Sequence, residues 1–252
     1  MSITAFMNQK GGVGKTTATI NLAVQAALRS RVLLIDADEQ GSLSKQFGIT
    51  NPKTSIKEAL LGKPFEVVNV RKNLDVLPAD GNLVDIEMYL TGLVGREKKL
   101  SKALKKIKDD YDYIFIDCPS NTSIVTINAL AFADYVVLPI LLDILSIEGI
   151  DHMVKYITMI KEEANEDLSI LGILINQFEE RTKVTDILLG EIEERGWEEI
   201  LFKTKIRKNV TVKESQAFRK PIFDYSKNST GAKDYVALGK EILSKINKLE
   251  KV

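Results

Sequence analysis

A glycine-rich segment near the N-terminus carries residue types that can bind a phosphate group. It spans residues 9–17 and reads QKGGVGKTT. Glycines let consecutive backbone N–H groups turn toward one anion, and the N-terminus of a following helix adds the positive end of its dipole. An apolar, strand-like run (Ile3 to Met7) precedes the segment and a helix-like run (Ala18 to Leu28) follows it. The sequence therefore predicts a phosphate-binding loop between a strand and a helix.

The side chains of this loop have distinct predicted roles. Lys15 would reach the β- and γ-phosphates of a nucleotide, and the Thr16 hydroxyl would ligate Mg²⁺. The strict pattern G-x-x-x-x-G-K-[ST] fails at its first position, which is Gln9, and a second lysine, Lys10, stands beside it. The predicted nucleotide-binding set in the loop is Gly11, Gly12, Val13, Gly14, Lys15, Thr16 and Thr17.

With that departure, the loop resembles the deviant phosphate loop of the ParA/MinD family of ATPases, K-G-G-x-G-K-[ST]-[ST], at every position. In that family the extra lysine contacts the nucleotide of the other subunit in a dimer. The resemblance therefore implies that Lys10 is catalytic across a homodimer that forms with ATP and Mg²⁺. A cation supplied in this way stabilises charge on the transferred phosphoryl oxygens.

Two further aspartate-containing segments resemble motifs of the same family. Residues 36–41 read DADEQG, close to the family's D-x-D-P-Q-G. This implies that Asp38 positions or activates the attacking water and that Asp36 lies near the metal or Lys15. Residues 111–120 read YDYIFIDCPS and have the form of a Walker B strand, in which Asp117 would hold Mg²⁺ through water. The family usually shows D-x-P-P here, so Ser120 is a departure.

The composition limits the possible classes of protein. The 252 residues include 35 basic and 35 acidic ones, so any preference for a charged partner must be local. A single cysteine, Cys118, excludes internal disulfides, and with a single histidine it leaves no soft-metal site in one chain. Cys118 is expected to be a buried packing residue at the end of a strand and not a nucleophile. Without a signal-like segment or an apolar run of about 18 residues, the sequence predicts a cytoplasmic protein.

Short apolar runs alternate with longer stretches of helical spacing. This predicts an α/β fold in which helices flank both faces of a mostly parallel central sheet. The resemblance implies a single-domain P-loop NTPase fold, with residues 1–252 as one ParA-type ATPase domain. The predicted strands cover Ile3–Met7, Arg31–Ile35, Leu74–Leu77, Asp112–Ile116, Tyr135–Ile140 and Ile170–Ile175.

Charge is unevenly distributed along the second half of the chain. Residues 203–220 contain seven basic residues and one acidic one, whereas 161–199 contain twelve acidic and four basic ones. A local basic surplus is what nonspecific binding to DNA phosphates requires, although lysines that only aid solubility are the alternative. The predicted DNA-binding residues are Lys203, Lys205, Arg207, Lys208, Arg219 and Lys220. A second candidate is the helix-like segment 96–108, with seven basic residues and one acidic one.

The resemblance continues to the C-terminus. Asn176 falls where the family's chain passes the adenine, although a strand-end turn explains it nearly as well. Residues 206–210 read IRKNV against the family's I-P-R-N-V, and we assign Arg207 to the nucleotide site as well. Residues 146–149 (SIEG) resemble the start of a helix at the family's dimer face, where Ser146 is also a suitable helix cap.

The C-terminal segment, residues 229–252, has the spacing of an amphipathic helix. MinD-like members end in a membrane-binding helix, but Glu241 and Glu250 interrupt the lysines here and no Trp or Phe follows Phe223, which favours packing on the core. The resemblance as a whole implies a DNA partition ATPase on the nucleoid. It would bind double-stranded DNA nonspecifically, respond to a ParB-type partner at a centromere and not bind membranes. The alternatives are a MinD-like membrane ATPase, an iron-sulfur carrier and a small-molecule ligase or kinase.

Overall fold

Seven strands form one central sheet in the computed structural model, which describes residues 1–180 and 182–250. Across the sheet the strands follow the order β3-β4-β2-β5-β1-β6-β7. All neighbouring pairs are parallel except β3 and β4. The strands are β1 (Ser2–Phe6), β2 (Val32–Asp36), β3 (Val68–Arg71), β4 (Leu74–Leu77), β5 (Tyr113–Asp117), β6 (Tyr135–Leu141) and β7 (Ser169–Asn176).

Helices cover both faces of the sheet and complete two apolar cores, one on each face. The predicted α/β fold with a mostly parallel sheet is confirmed. The helices are α1 (Lys15–Ala26), α2 (Ser42–Gln46), α3 (Ile56–Leu60), α4 (Ile86–Leu90), α5 (Lys99–Leu104), α6 (Ile124–Phe132), α7 (Ile144–Glu163), α8 (Lys183–Glu194), α9 (Val210–Ala217), α10 (Ile222–Ser226) and α11 (Thr230–Leu249).

The central strands were predictable because they are buried on both faces. Every residue of β1 and of β2 is buried, so both strands read as continuous apolar runs. The edge strand β3 was not predicted. Its sequence VNVR is short and only half-buried, and its pairing to β4 is antiparallel, so it lacks the apolar run of a central strand.

Two predicted helices differ in length from those in the structure. Helix α1 begins at Lys15 rather than Ala18, directly after the left-handed Gly14. The helix predicted over 96–108 is regular only over α5, with 3₁₀ turns at Arg96–Lys98 and Lys108–Asp110. Its predicted apolar face still points inward, because Leu100 and Leu104 are fully buried.

Helix α11 packs against α1 and belongs to the core, as predicted. Leu238, Ile242 and Ile246 are fully buried on it, and Tyr235 adds a buried aromatic that the spacing did not single out. Leu249, at the helix end, is exposed. No helix in the described part of the chain is long and apolar enough to cross a membrane.

Candidate nucleotide site

The glycine-rich loop lies at the carboxyl end of β1 and leads directly into α1. Gly12 and Gly14 have φ of 75° and 89°, in the left-handed region that favours glycine. A side chain at Gly14 is unfavourable for two reasons. The backbone there is left-handed, and a Cβ would lie 2.8 Å from Nδ2 of Asn176. The loop therefore needs glycine both for its backbone conformation and for the close approach of β7.

A cleft of about 350 Å³ opens beside this loop. It brings together predicted residues that lie far apart in the chain, from the loop, the segment after β2, the end of β7 and the segment before α9. The predicted residues that line it are Gly12, Gly14, Lys15, Thr16, Thr17, Asp38, Asn176 and Arg207. Ser42, Ser120, Gln177, Asn209, Lys213 and Gln216 also line the cleft and were not predicted.

Lys15 is buried at the floor of the site. Its Nζ donates to Oγ of Ser120 at 2.7 Å and lies 3.4 Å from the carbonyl oxygen of Lys10. Burial lowers the pKa of Lys15, while the nearby carboxylate of Asp117 opposes that shift. Ser120, which departs from the family motif, is thus the residue that holds the phosphate-loop lysine in this structure.

Asp36 and Asp117 lie side by side at the carboxyl ends of β2 and β5, which pair in register. Both side chains are buried, and burial raises the pKa of Asp36 to about 6. One oxygen of Asp36 accepts hydrogen bonds from the backbone N–H and the Oγ of Ser44, at 2.8 and 2.7 Å. The other accepts from the N–H of Asp38 at 3.3 Å. These bonds favour a role for Asp36 in positioning the Asp38 segment over the predicted role as a metal ligand.

Asp117 differs from Asp36 because neither carboxylate oxygen has a hydrogen-bond partner among the described residues. Burial raises its pKa well above the ordinary value, and the adjacent Asp36 adds to the shift, while Thr16 and Lys15 oppose it. A buried carboxylate without a partner is costly unless a cation compensates it. The predicted pair of Thr16 and Asp117 therefore fits Mg²⁺, which takes few protein oxygens and keeps several waters.

Asp38 lies at the side of the cleft and is only partly buried. One of its oxygens accepts from the N–H of Gln40 at 2.9 Å. A carboxylate that faces the cleft and is not in an ion pair can accept a hydrogen bond from a water molecule. The predicted role of Asp38 in orienting the attacking water is compatible with this position.

Lys10 turns away from the cleft and contacts its own subunit. Its Nζ donates to the two oxygens of Asp143, at 3.0 and 2.8 Å, and lies 3.2 Å from Oγ of Ser146. Asp143 is the N-cap of α7 and accepts from the N–H of Ser146 at 2.9 Å. The alternative that Ser146 caps this helix is wrong, since Asp143, three residues earlier, does so.

Asn176 and Arg207 line the cleft but already have partners. Nδ2 of Asn176 donates to the carbonyl oxygen of Val13 at 2.7 Å, whereas its Oδ1 is buried without a partner. The guanidinium of Arg207 binds both oxygens of Asp234 on α11, through Nε at 3.1 Å and through a terminal nitrogen at 2.5 Å. Asn176 thus ties β7 to the phosphate loop.

Several of the predicted DNA-binding side chains already have partners within the same chain. Besides Arg207, Lys208 forms an ion pair with Glu179 at 2.6 Å, and Lys205 lies 5.1 Å from the ring centroid of Phe178. Lys203, Arg219 and Lys220 are exposed and form no ion pair within the described residues. Pairing with acids from a distant segment therefore reduces the local charge surplus that the sequence shows.

Gln216 is a site residue that the sequence did not reveal. It lies on α9, donates to Oγ1 of Thr17 and lines the cleft. The same helix region is joined to α1 by Asn21, whose Oδ1 accepts from the N–H of Ile222 at 2.9 Å. No local pattern marks Gln216, because its contact spans 199 residues of sequence.

Comparison with known proteins agrees with this geometry. A family model described as an AAA domain matches residues 1–170. The sporulation initiation inhibitor protein Soj of Bacillus subtilis is 36% identical over 249 residues, which cover 95% of this chain and 97% of Soj. The chromosome partitioning protein ParA of Myxococcus xanthus is 37% identical over 251 residues, covering 96% of this chain and 88% of that protein.

A solved structure also superposes on the chain. Cobyrinic acid a,c-diamide synthase from Mycobacterium smegmatis, determined with a bound ATP analogue and magnesium, has a TM-score of 0.77 and 30% identity. The match covers 87% of this chain and 93% of that one. The chain has the deviant phosphate loop, the site around it and this similarity over nearly its whole length. It therefore belongs to the ParA/MinD family of P-loop ATPases and is Soj-like within it.

Proposed function

We propose that this chain is a DNA segregation ATPase, which dimerises with ATP and Mg²⁺, binds DNA nonspecifically and releases it on hydrolysis. The reaction is ATP + water to ADP + phosphate, and ATP and Mg²⁺ are its substrate and cofactor. The observation that carries the proposal is the cleft beside the glycine loop that Lys15 and Asp38 line, with the buried carboxylate of Asp117 close enough to interact electrostatically with both. Relatives that match nearly the full chain include proteins named for chromosome partitioning.

In this proposal the chain's own residues divide the work of phosphoryl transfer. The N–H groups of the loop and Lys15 bind the phosphates, and Asp38 orients the attacking water. Thr16 and Asp117 hold Mg²⁺, which when bound neutralises charge on the phosphate oxygens.

Dimerisation would bring Lys10 to the nucleotide of the other subunit. Lys10 is 39% exposed, and its partner Asp143 lies at the start of α7, where Ile144 and Leu145 are exposed apolar residues. Exposed apolar side chains next to a catalytic lysine support a contact surface between subunits. Release of Lys10 from Asp143 is then part of dimer formation.

The dimer would carry two basic surfaces, each too weak to hold DNA well alone. Joining two weak sites on one particle raises affinity through effective concentration, so DNA binding becomes dependent on ATP. The exposed Lys203, Arg219 and Lys220 support this surface most directly. We place the protein in the cytoplasm on the nucleoid, with residues 1–252 acting as one domain and a ParB-type protein at a centromere stimulating hydrolysis.

The proposal is tested by fluorescence anisotropy of a labelled random-sequence DNA duplex with Mg²⁺ and either ATP or ADP, over a series of salt concentrations. Binding with ATP that weakens steeply with salt, and little binding with ADP, is the expected result. The same protein is mixed with vesicles of anionic phospholipid in each nucleotide state. ATP-dependent vesicle binding without DNA binding would replace the proposal with the MinD-like alternative, which the comparisons do not favour. ATP hydrolysis without binding to DNA or vesicles would point to the small-molecule alternative.

A further inference from the structure

Ser120 is an exposed residue on the loop after β5, and it lines the cleft beside the phosphate loop. Its Oγ accepts a hydrogen bond from Nζ of Lys15 at 2.7 Å. Lys15 and Asp38 line the same cleft. Ser120 is therefore one hydrogen bond away from the side chain that is expected to bind the terminal phosphates of ATP.

The ammonium group of Lys15 has only neutral hydrogen-bond partners in this structure. Besides the hydroxyl of Ser120, its Nζ has the carbonyl oxygen of Lys10 at 3.4 Å, and it forms no ion pair within the described residues. A phosphate oxygen attracts an ammonium group more strongly than a neutral oxygen does, because both partners are charged. The bond to Ser120 thus keeps Lys15 in the cleft until a stronger partner arrives.

The loop that carries Ser120 is fixed on both sides of this residue. The N–H of Cys118 donates to the carbonyl oxygen of Phe6 at 3.1 Å, which joins the start of the loop to β1. The hydroxyl of Thr126 donates to the carbonyl oxygen of Asn121 at 2.9 Å, which joins the next part of the loop to α6. The hydroxyl of Ser120 is therefore presented from a defined position, as a preorganised donor to a transferred phosphoryl group must be.

The bond from Lys15 leaves the Ser120 hydroxyl its own hydrogen to donate. A serine hydroxyl has one O–H donor and two acceptor lone pairs, and the O–H rotates to suit its partner. The described residues supply no acceptor for this hydrogen, since the contact with Lys15 uses Oγ as the acceptor. Charged oxygens form the stronger hydrogen bonds, so a phosphate in the cleft is the preferred acceptor.

We propose that the Ser120 hydroxyl binds the γ-phosphate of ATP and that the site uses this contact to distinguish ATP from ADP. Without nucleotide, Oγ accepts from Lys15 and holds its ammonium group in the cleft. With ATP bound, Lys15 binds the phosphates and the adjacent O–H donates to a γ-phosphate oxygen. This role deepens the proposed function and rests on it, because it requires ATP in this cleft.

Two other acceptors for the hydroxyl fit less well. The β-phosphate is surrounded by the N–H groups of the glycine loop in the proposed binding mode, so it needs no further donor. The attacking water is oriented by Asp38, which accepts one of its hydrogens. A hydroxyl that donated to the oxygen of this water would compete for the electron pair that attacks phosphorus.

Binding of two nucleotides measures the contact. A fluorescent ADP and a fluorescent, non-hydrolysable ATP analogue are each titrated with Mg²⁺ at low protein concentration, so that dimerisation contributes little. The ratio of the two dissociation constants isolates the contact to the γ-phosphate. Both nucleotides start from the same free protein, so any effect of losing the bond between Ser120 and Lys15 in that state cancels from the ratio.

Ser120→Ala should lower the preference for the ATP analogue over ADP about 10-fold or more, because a hydrogen bond to a charged group is lost. Ser120→Thr keeps a hydroxyl at this position and should keep the preference.

Ser123→Ala is the matched control for these variants. It removes a serine hydroxyl from the same loop, but Ser123 does not line the cleft and its side chain forms no capping bond to α6. This variant should keep the wild-type preference. Thermal unfolding of each variant checks that the fold is retained.

An unchanged preference in Ser120→Ala would overturn the proposal. If phosphate release by that variant fell at the same time, the hydroxyl would be assigned to the attacking water instead. A Ser120→Thr protein that loses as much preference as Ser120→Ala would also overturn it, because the hydroxyl would not be the group that acts. A wild-type protein that binds neither nucleotide would contradict the proposed function as well, whereas a failure of DNA binding alone would leave the role of Ser120 intact.

Discussion

The Nζ of Lys10 lies 2.8 Å from a carboxylate oxygen of Asp143, the residue that caps α7 in the same subunit. The lysine that the family resemblance assigns to the other subunit's nucleotide is therefore held by its own chain, 133 residues away in sequence. The pair is partly exposed, at 39% and 37% for the two side chains. Exposed ion pairs contribute little free energy, so a modest gain from nucleotide contact is enough to separate them.

Lys10→Ala should lower ATP turnover about 10²- to 10³-fold or more, because a cation that stabilises the transferred phosphoryl group is lost. Binding of a fluorescent ATP analogue should be retained. Asp143→Ala removes the same ion pair from the other side but leaves Lys10 free, so its turnover should stay near that of the wild type. Equal losses in the two variants would show that the ion pair, and not the free lysine, matters.

The lowered pKa of Asp143 predicts how the free energy of unfolding changes at acid pH. Burial opposes the shift, but the hydrogen bonds from Lys10 and Ser146 lower the pKa of Asp143 below its ordinary value of 3.8. A group whose pKa is lower in the folded state stabilises above its unfolded pKa, and this contribution is lost as the pH falls through the folded pKa. The free energy of unfolding should therefore decrease less between neutral pH and about pH 3 in Asp143→Asn than in the wild type. Parallel curves from urea titrations would contradict this.

Asp38→Ala should stop ATP turnover and leave both ATP binding and ATP-dependent dimers intact, since Asp38 faces the cleft and forms no ion pair with the loop. We expect a loss of at least about 10²-fold if it orients the attacking water. Steady-state phosphate release measures turnover, and analytical ultracentrifugation measures the dimer. Lys15→Ala is the contrasting variant, because loss of the phosphate-binding cation should abolish nucleotide binding itself. Turnover of Asp38→Ala at the wild-type rate would remove Asp38 from the mechanism.

Asp117→Asn should change folding stability and Mg²⁺ binding in opposite directions. Replacing a buried carboxylate that has no partner with a neutral amide should stabilise the nucleotide-free protein, on the order of 1–3 kcal/mol. The same variant should lose most of the gain in nucleotide affinity that Mg²⁺ provides, as measured by titration calorimetry with and without EDTA. Asp134→Asn is a suitable control, because Asp134 accepts a hydrogen bond from the N–H of Ile3 at 2.7 Å. Asp134→Asn should keep the Mg²⁺ dependence.

Arg207→Ala combined with Lys208→Ala tests the predicted DNA surface. If these residues contact phosphates, DNA binding should weaken equally for all sequences and its salt slope should decrease by up to about 2. Both residues bind acids in this structure, so Arg219→Ala with Lys220→Ala is the matched variant that removes two bases without an ion pair. A larger effect of the second variant would place the main DNA contact after α9. No effect of either would move it to segment 96–108.

Much of this architecture is encoded locally. A strand buried on both faces must be apolar along its whole length, which is why the runs ending in Asp36 and Asp117 were predictable to within a residue or two. The phosphate loop was predictable for a similar reason, because Gly12 and Gly14 adopt backbone conformations that other residues rarely reach. The edge strand β3 was missed because a short, half-buried strand leaves no such signal.

The chain by itself therefore determined the central strands, the phosphate loop and the family. The tertiary structure alone decided which side chains pair. It assigned Lys10 to Asp143, Arg207 to Asp234 and Gln216 to Thr17, contacts that join segments separated by 27 to 199 residues. Local patterns encode backbone conformation and burial, whereas ion pairs and side-chain partners depend on how distant elements meet in the fold.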